Sequence, residues 1–175
     1  MVANGFEPHV EPEVLPEWPY RGQTIGFPYS CIHYLRRAQA YFGAGLTLVP
    51  AESVPSEDAV LLREYDRGPA DSHLINHADH EGFYVPQHFD EVLVAEEEDA
   101  VRGTAVGSSF ALLRELQQLA GIIGVELTDG QLSDDAARSL EQEQEHPFAT
   151  ERMVWFTLYE AARQSIAQRS VITFG

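Results

Sequence analysis

The stretch ATERMVWFTLYEAARQSIAQ, residues 149–168, constrains the fold most. Val154, Trp155, Leu158, Ala161, Ala162 and Ile166 recur at helical spacing and make a broad apolar face. A face that broad has to be covered, so the stretch reads as the central packing helix of an α-rich core. Three further segments carry the same period. YSCIHYLRRAQAYFG (29–43) puts Ile32, Leu35, Gln39 and Phe42 on one side, with Ser30 as a cap and Gly43 as a stop. SSFALLRELQQLAGIIG (108–124) spaces Leu112, Leu116, Leu119 and Ile123, starts at Ser108 or Ser109, and stops at Gly124. SDDAARSLEQEQEH (133–146) has a serine cap, acids in its first turn and Pro147 behind it; its thin apolar stripe marks a surface helix.

Short apolar runs at 46–49, 60–62, 83–85, 92–95 and 171–174 read as strands, although runs of that length are not separable from helix pieces by periodicity. The expected fold is mainly α, an α+β chain with minor β: a single-domain, helical bundle-like core with a few short strands. The first 20 residues hold four prolines and four glutamates and read as an extended arm docked through Trp18 and Tyr20. That leaves 21–175 as one globular domain, a length that supports a real core.

Charge narrows the function classes. The net charge is −17, from 28 acids and 11 bases, all arginine. Residues 21–50 carry Arg21, Arg36 and Arg37 and no acid; residues 71–100 carry nine acids and no arginine. Phosphates would be repelled, so nucleic acid is not an expected partner; a basic protein or a bound cation is compatible. No run of eighteen apolar residues suggests a membrane span, and the N-terminus lacks the basic and apolar regions of a signal peptide. Cys31 is the single cysteine, which excludes an internal disulfide. A cytoplasmic setting is expected.

HLINHADHEGFYVPQH, residues 73–88, holds four of the seven histidines. On a helix His73 and His77 share a face with Glu81 one turn on, and two imidazoles with a carboxylate form a catalytic zinc set. The zinc motif H-E-x-x-H is not matched, because Leu74 follows His73. The competing reading is a polar turn built on Asn76, Asp79 and Gly82, with the histidines bonding backbone groups. His33 lies two residues from Cys31, which rules out a dyad on one helix, but it could meet His73 or His77 across a helix pair. GTAVGSSF (103–110) lacks the lysine of a P-loop, and Ser108 or Ser109 explains it as a cap; no G-x-S-x-G elbow occurs.

LINHADHEGFYVP resembles the L-x-x-H-S-D-C-x-G-x-x-x-P signature of a family of small bacterial proteins with no assigned activity. In those proteins an upstream Y-S-x-x-H-x-L-R, similar to YSCIHYLR (29–36), and a serine-led helix similar to GSSFALLRELQQLAG also occur. His80 departs from the pattern, standing where it has cysteine. The resemblance implies a linked binding cluster of His33, Arg36, His77, Asp79, Gly82, Ser108 and Ser109.

Two functions follow. The first is a non-enzymatic binding or protein-interaction module with an acidic surface, immunity- or inhibitor-like, acting on a basic partner and needing no cofactor. The alternative is a metal-dependent hydrolase holding zinc or another divalent ion through His33, His73, His77 and Glu81.

Overall fold

The structure is a computed structural model that describes residues 5–15, 17–19, 21, 26–67, 72–77, 82–94 and 105–174. Among these the helices are α1 (Ile32–Gly43), α2 (Ala59–Asp66), α3 (His73–Asn76), α4 (Ser109–Leu119), α5 (Asp134–Gln142) and α6 (Ala149–Gln168). The strands are β1 (Phe83–Val85), β2 (Leu93–Val94), β3 (Ala105–Ser108) and β4 (Ile172–Thr173). The mainly helical fold with a small sheet agrees with the sequence expectation.

The core is the apolar face of α6 laid against α4 and α1. Trp155, Tyr159, Leu112, Leu116, Leu119 and Leu35 are fully buried together. Burial of each such side chain contributes about 1.5–3 kcal/mol. The polar ends of the two aromatics are satisfied. Trp155 Nε1 donates to the Leu116 carbonyl at 2.7 Å. Tyr159 stacks on Trp155 at 4.7 Å and donates from its hydroxyl to the Gly130 carbonyl at 3.1 Å. That last bond, with Leu132 N–H donating back to Tyr159 at 3.2 Å, fixes the turn that launches α5.

Local chemistry sets most helix ends. Ser108 Oγ accepts from Ala111 N–H and Ser133 Oγ from Ala136 N–H, so both serve as caps. Gly124 ends the α4 segment at φ 73°, where a side chain would be strained. Asp58 caps α2 through Val60 and Leu61 N–H. Capping and helical packing override the strand reading of 60–62, and 46–49 forms no strand either.

The sheet order is β2-β3-β1-β4, with β1 parallel to β3 and the other two pairs antiparallel. β3 is AVGS, which has no strand signal of its own. Gly107 is required there: a Cβ would lie 2.3 Å from the Tyr84 ring. Residues from the first twenty touch the rest of the fold at several points. Phe6 packs on Phe89 at 5.3 Å, Glu11 accepts from Val171 N–H at 2.7 Å, and Arg163 sits 5.6 Å over Trp18. Tyr20 lies outside the described residues. Among the described residues no helix is long and apolar enough to cross a membrane.

Candidate functional site

The first part of the histidine segment, 72–77, is built mostly into the interior. α3 is only four residues long, and both of its ends are closed by charged side chains from other helices. At the start, the Glu115 carboxylate on α4 accepts from Ser72 Oγ at 2.7 Å, His73 N–H at 2.7 Å and Leu74 N–H at 3.1 Å. At the end, Arg36 on α1 donates through Nε to the Leu74 carbonyl at 2.9 Å and through a terminal nitrogen to the His77 carbonyl. Each charge satisfies the backbone groups that a helix end leaves unpaired. Burial pushes the Glu115 carboxyl up from its ordinary range, and the three donated hydrogen bonds pull it partly back.

His73 is fully buried. Ser108 N–H donates to Nδ1 at 3.0 Å, so the ring proton sits on Nε2, which donates to the Asp90 carbonyl at 3.1 Å. Burial lowers its pKa and keeps the ring neutral. His77 is 3% exposed. Its Nε2 donates to the Phe83 carbonyl at 3.1 Å, and its ring stacks on Tyr84 at 4.1 Å. Gly82, at φ 84°, leaves room for this: a Cβ there would meet the Ala105 carbonyl oxygen at 2.3 Å and the His77 ring at 3.2 Å. Tyr84 donates to the His73 carbonyl at 2.9 Å, and burial drives its phenol far above the ordinary range.

The expected binding cluster is therefore divided. Arg36, His77, Gly82 and Ser108 meet around α3, β1 and β3. Ser109 faces elsewhere: it donates to Ser165 Oγ at 2.7 Å, and Ser165 donates to the Ser170 carbonyl at 2.6 Å. His33 is half-buried with Nδ1 3.4 Å from the Tyr65 hydroxyl. Asp79 and Glu81 lie outside the described residues. Of the expected metal set, His33, His73 and His77 are among the described residues and Glu81 is not. Among the described residues no group of three His, Cys, Asp or Glu is placed to hold a metal ion. The physical reason is clearest at His73, whose one lone pair is taken by Ser108 N–H.

A run of mostly exposed acids lies on another part of the molecule. Between residues 126 and 145 the chain places Glu126, Asp129, Asp134, Asp135, Glu141, Glu143 and Glu145 against one base, Arg138. α5 runs along this edge with only Ala137 fully buried. Its first-turn acids suit the helix N-terminus. Arg138 is turned back onto Asp135. Asp134 and Glu141 lie seven residues apart, about 10 Å along the axis, the advance of roughly three phosphates along one DNA strand. An edge of this kind accepts hydrogen bonds from arginine and lysine.

Sequence reasoning missed Glu115, Glu151 and Glu160 as buried acids. Two of them carried a signal: Glu115 falls between Leu112 and Leu119 on the apolar stripe, and Glu151 precedes Val154 and Trp155 at helical spacing. Reading α5 only as a surface helix also left its charge unused.

Over residues 1–174 the chain matches the model of a family described as "Putative DNA-mimic protein", and it belongs to that family. No curated protein and no solved structure matches it. The residues had pointed to a family relationship; the family shown is described by DNA mimicry, not by a signature around His77. Two expectations are corrected by this match. The metal-dependent hydrolase is overturned, because imitation of DNA is a binding role. The partner was expected as a basic protein of no stated kind; the family's description suggests proteins that bind DNA.

Proposed function

On the premise of that membership, we propose that this protein occupies the DNA-binding face of a DNA-binding protein, with its carboxylates standing where phosphates would bind. The observation that carries the reading is the family match across residues 1–174. Charge supports it: a net −17 supplies the field that steers a basic surface towards it. The acids of 126–145 are the described residues best suited to the contact, since most are exposed and only three of the seven, Asp134, Asp135 and Glu143, are in the ion pairs seen among the described residues, with Arg21, Arg138 and Arg152. In this reading residues 1–20 are an arm on a globular domain of 21–175, and the setting is the cytoplasm.

The test is capture on the immobilised full chain from native lysate, followed by elution with a duplex oligonucleotide. Proteins that bind DNA, released by duplex DNA and by raised salt, are the expected result. Release by salt alone, with duplex DNA without effect, overturns the reading. The salt dependence is itself diagnostic, because affinity built on ion pairs falls steeply as salt rises.

A further inference from the structure

A cavity of about 320 Å³ opens between the end of α5 and the first turns of α6. Leu140, Met153 and Phe156 give it apolar walls, and Glu141, Glu143 and Arg152 give it polar ones. Glu143 also borders the two neighbouring hollows, where Glu126 and Glu145 stand. Four carboxylates thus line these three hollows, and one of them, Glu143, is paired with Arg152.

Arg152 explains how the cavity is set. It is 7% exposed, and its Nε has no hydrogen-bond partner. Its NH1 donates to Glu143 Oε2 at 2.7 Å. A buried guanidinium with one ion-pair partner holds that partner firmly, because releasing it would leave the charge unpaired. The Glu143 side chain stays 49% exposed, so it is fixed from below and open from above. This is a preorganised acceptor beside a cavity whose wall is part apolar and part polar.

We propose that this cavity is the anchor for one arginine side chain of the partner. The inference rests on the DNA-mimic reading and locates its most specific contact. An arginine stem would lie along Leu140 and Met153, its planar head against Phe156, and its N–H groups on Glu143. Carboxylates in excess favour a cation over a small anion, even though Arg152 lines the wall. Arginine anchors filling pockets at the centre of an interface carry a large share of binding energy, while rim charges carry little. Arg152 acts as a positioning residue, through Glu143.

The chain has two methionines, Met1 and Met153, so a spectrum of methyl-labelled methionine holds two signals, one of them inside the cavity. The full-length protein is titrated with octa-arginine peptide, and the Met153 methyl is followed with the binding isotherm. The expected result is a saturable Met153 shift, with affinity reduced roughly tenfold in Glu143→Gln and only about twofold in Asp135→Asn. The wild-type methyl shift needs no variant, so it stands whether or not Glu143→Gln is less stable. Binding of octa-arginine with an unmoved Met153 signal, and equal losses in the two variants, overturns the anchor and leaves the DNA-mimic reading intact. A Met153 shift with octa-glutamate and none with octa-arginine also overturns it. No binding of octa-arginine to the wild type overturns both.

Discussion

Two polar regions of this molecule carry similar chemistry and have opposite fates. Around α3, a carboxylate, a guanidinium and two imidazoles are buried, and most of their hydrogen bonds go to backbone groups. Along α5 and the segment that follows it, most carboxylates face solvent, and a buried arginine at the start of α6, Arg152, anchors one of them. A polar group inside the fold must find a partner or lose several kcal/mol, so its hydrogen bonds are spent on structure. A charge at the surface costs little to leave unpaired and remains available to another molecule. Density of reactive side chains in the sequence is therefore a poor guide to a site, and exposure of charge a better one.

The first way to break this contrast is Glu115→Ala. Removing the carboxylate strands three buried donors, and a loss of about 3–5 kcal/mol is expected in urea denaturation. A loss below about 1 kcal/mol would show that the α3 cluster is not a structural device. Gly107→Ala probes the same region from the sheet. Its Cβ would meet the Tyr84 ring at 2.3 Å, and overpacking of this kind costs about 1–3 kcal/mol.

A pH series separates the titrating groups. Native His73 has a lowered pKa, so on acidification the unfolded chain binds its proton first. Stability from this group is present above the ordinary histidine pKa of about 6.5 and is lost as pH falls from there through the lowered native value. His73→Gln is expected to flatten that part of the curve. Glu115 works the other way. Its raised native pKa makes stability fall as pH rises from the ordinary carboxyl range to the raised value. Glu115→Gln is expected to remove that component.

At the exposed edge the expected effects reverse. Replacing Glu126, Glu141 and Glu145 together by glutamine is expected to change stability by no more than about 0.5 kcal/mol per site. The same variant should weaken octa-arginine binding and reduce its salt dependence. Unchanged binding would remove this edge from the interface. The smallest effect expected is with zinc: added Zn²⁺ leaves the thermal midpoint of the untagged protein where it was. A rise that disappears in His77→Ala would restore a metal site at the histidine segment.

Legibility in the sequence follows the range of the forces involved. α6 and α4 could be read because a broad apolar face and its caps are local properties: Ser108, Ser133 and Gly124 do what their residue types favour. β3 could not be read, since Ala-Val-Gly-Ser becomes a strand only through pairing with Phe83–Val85, and Gly107 is chosen by a ring more than twenty residues away. VLL at 60–62 was ambiguous by period and was decided by the Asp58 cap. The histidine segment left two readings open in the sequence for a related reason. The spacing of His73 and His77 gives no sign that Asp90, Ser108 and Phe83 supply their partners. The acids of 126–145 were visible throughout; what gives them meaning is their exposure.

The central claim, that the protein takes the place of DNA on its partner, is tested most directly by displacement. A fluorescent duplex is bound to the DNA-binding protein recovered by capture, and the full-length chain is added at several salt concentrations while anisotropy is followed. Mutually exclusive binding predicts that anisotropy falls to that of free duplex, with a midpoint that rises steeply with salt. Retention of the duplex in a ternary complex, at concentrations where the two proteins are shown to be bound, would contradict it.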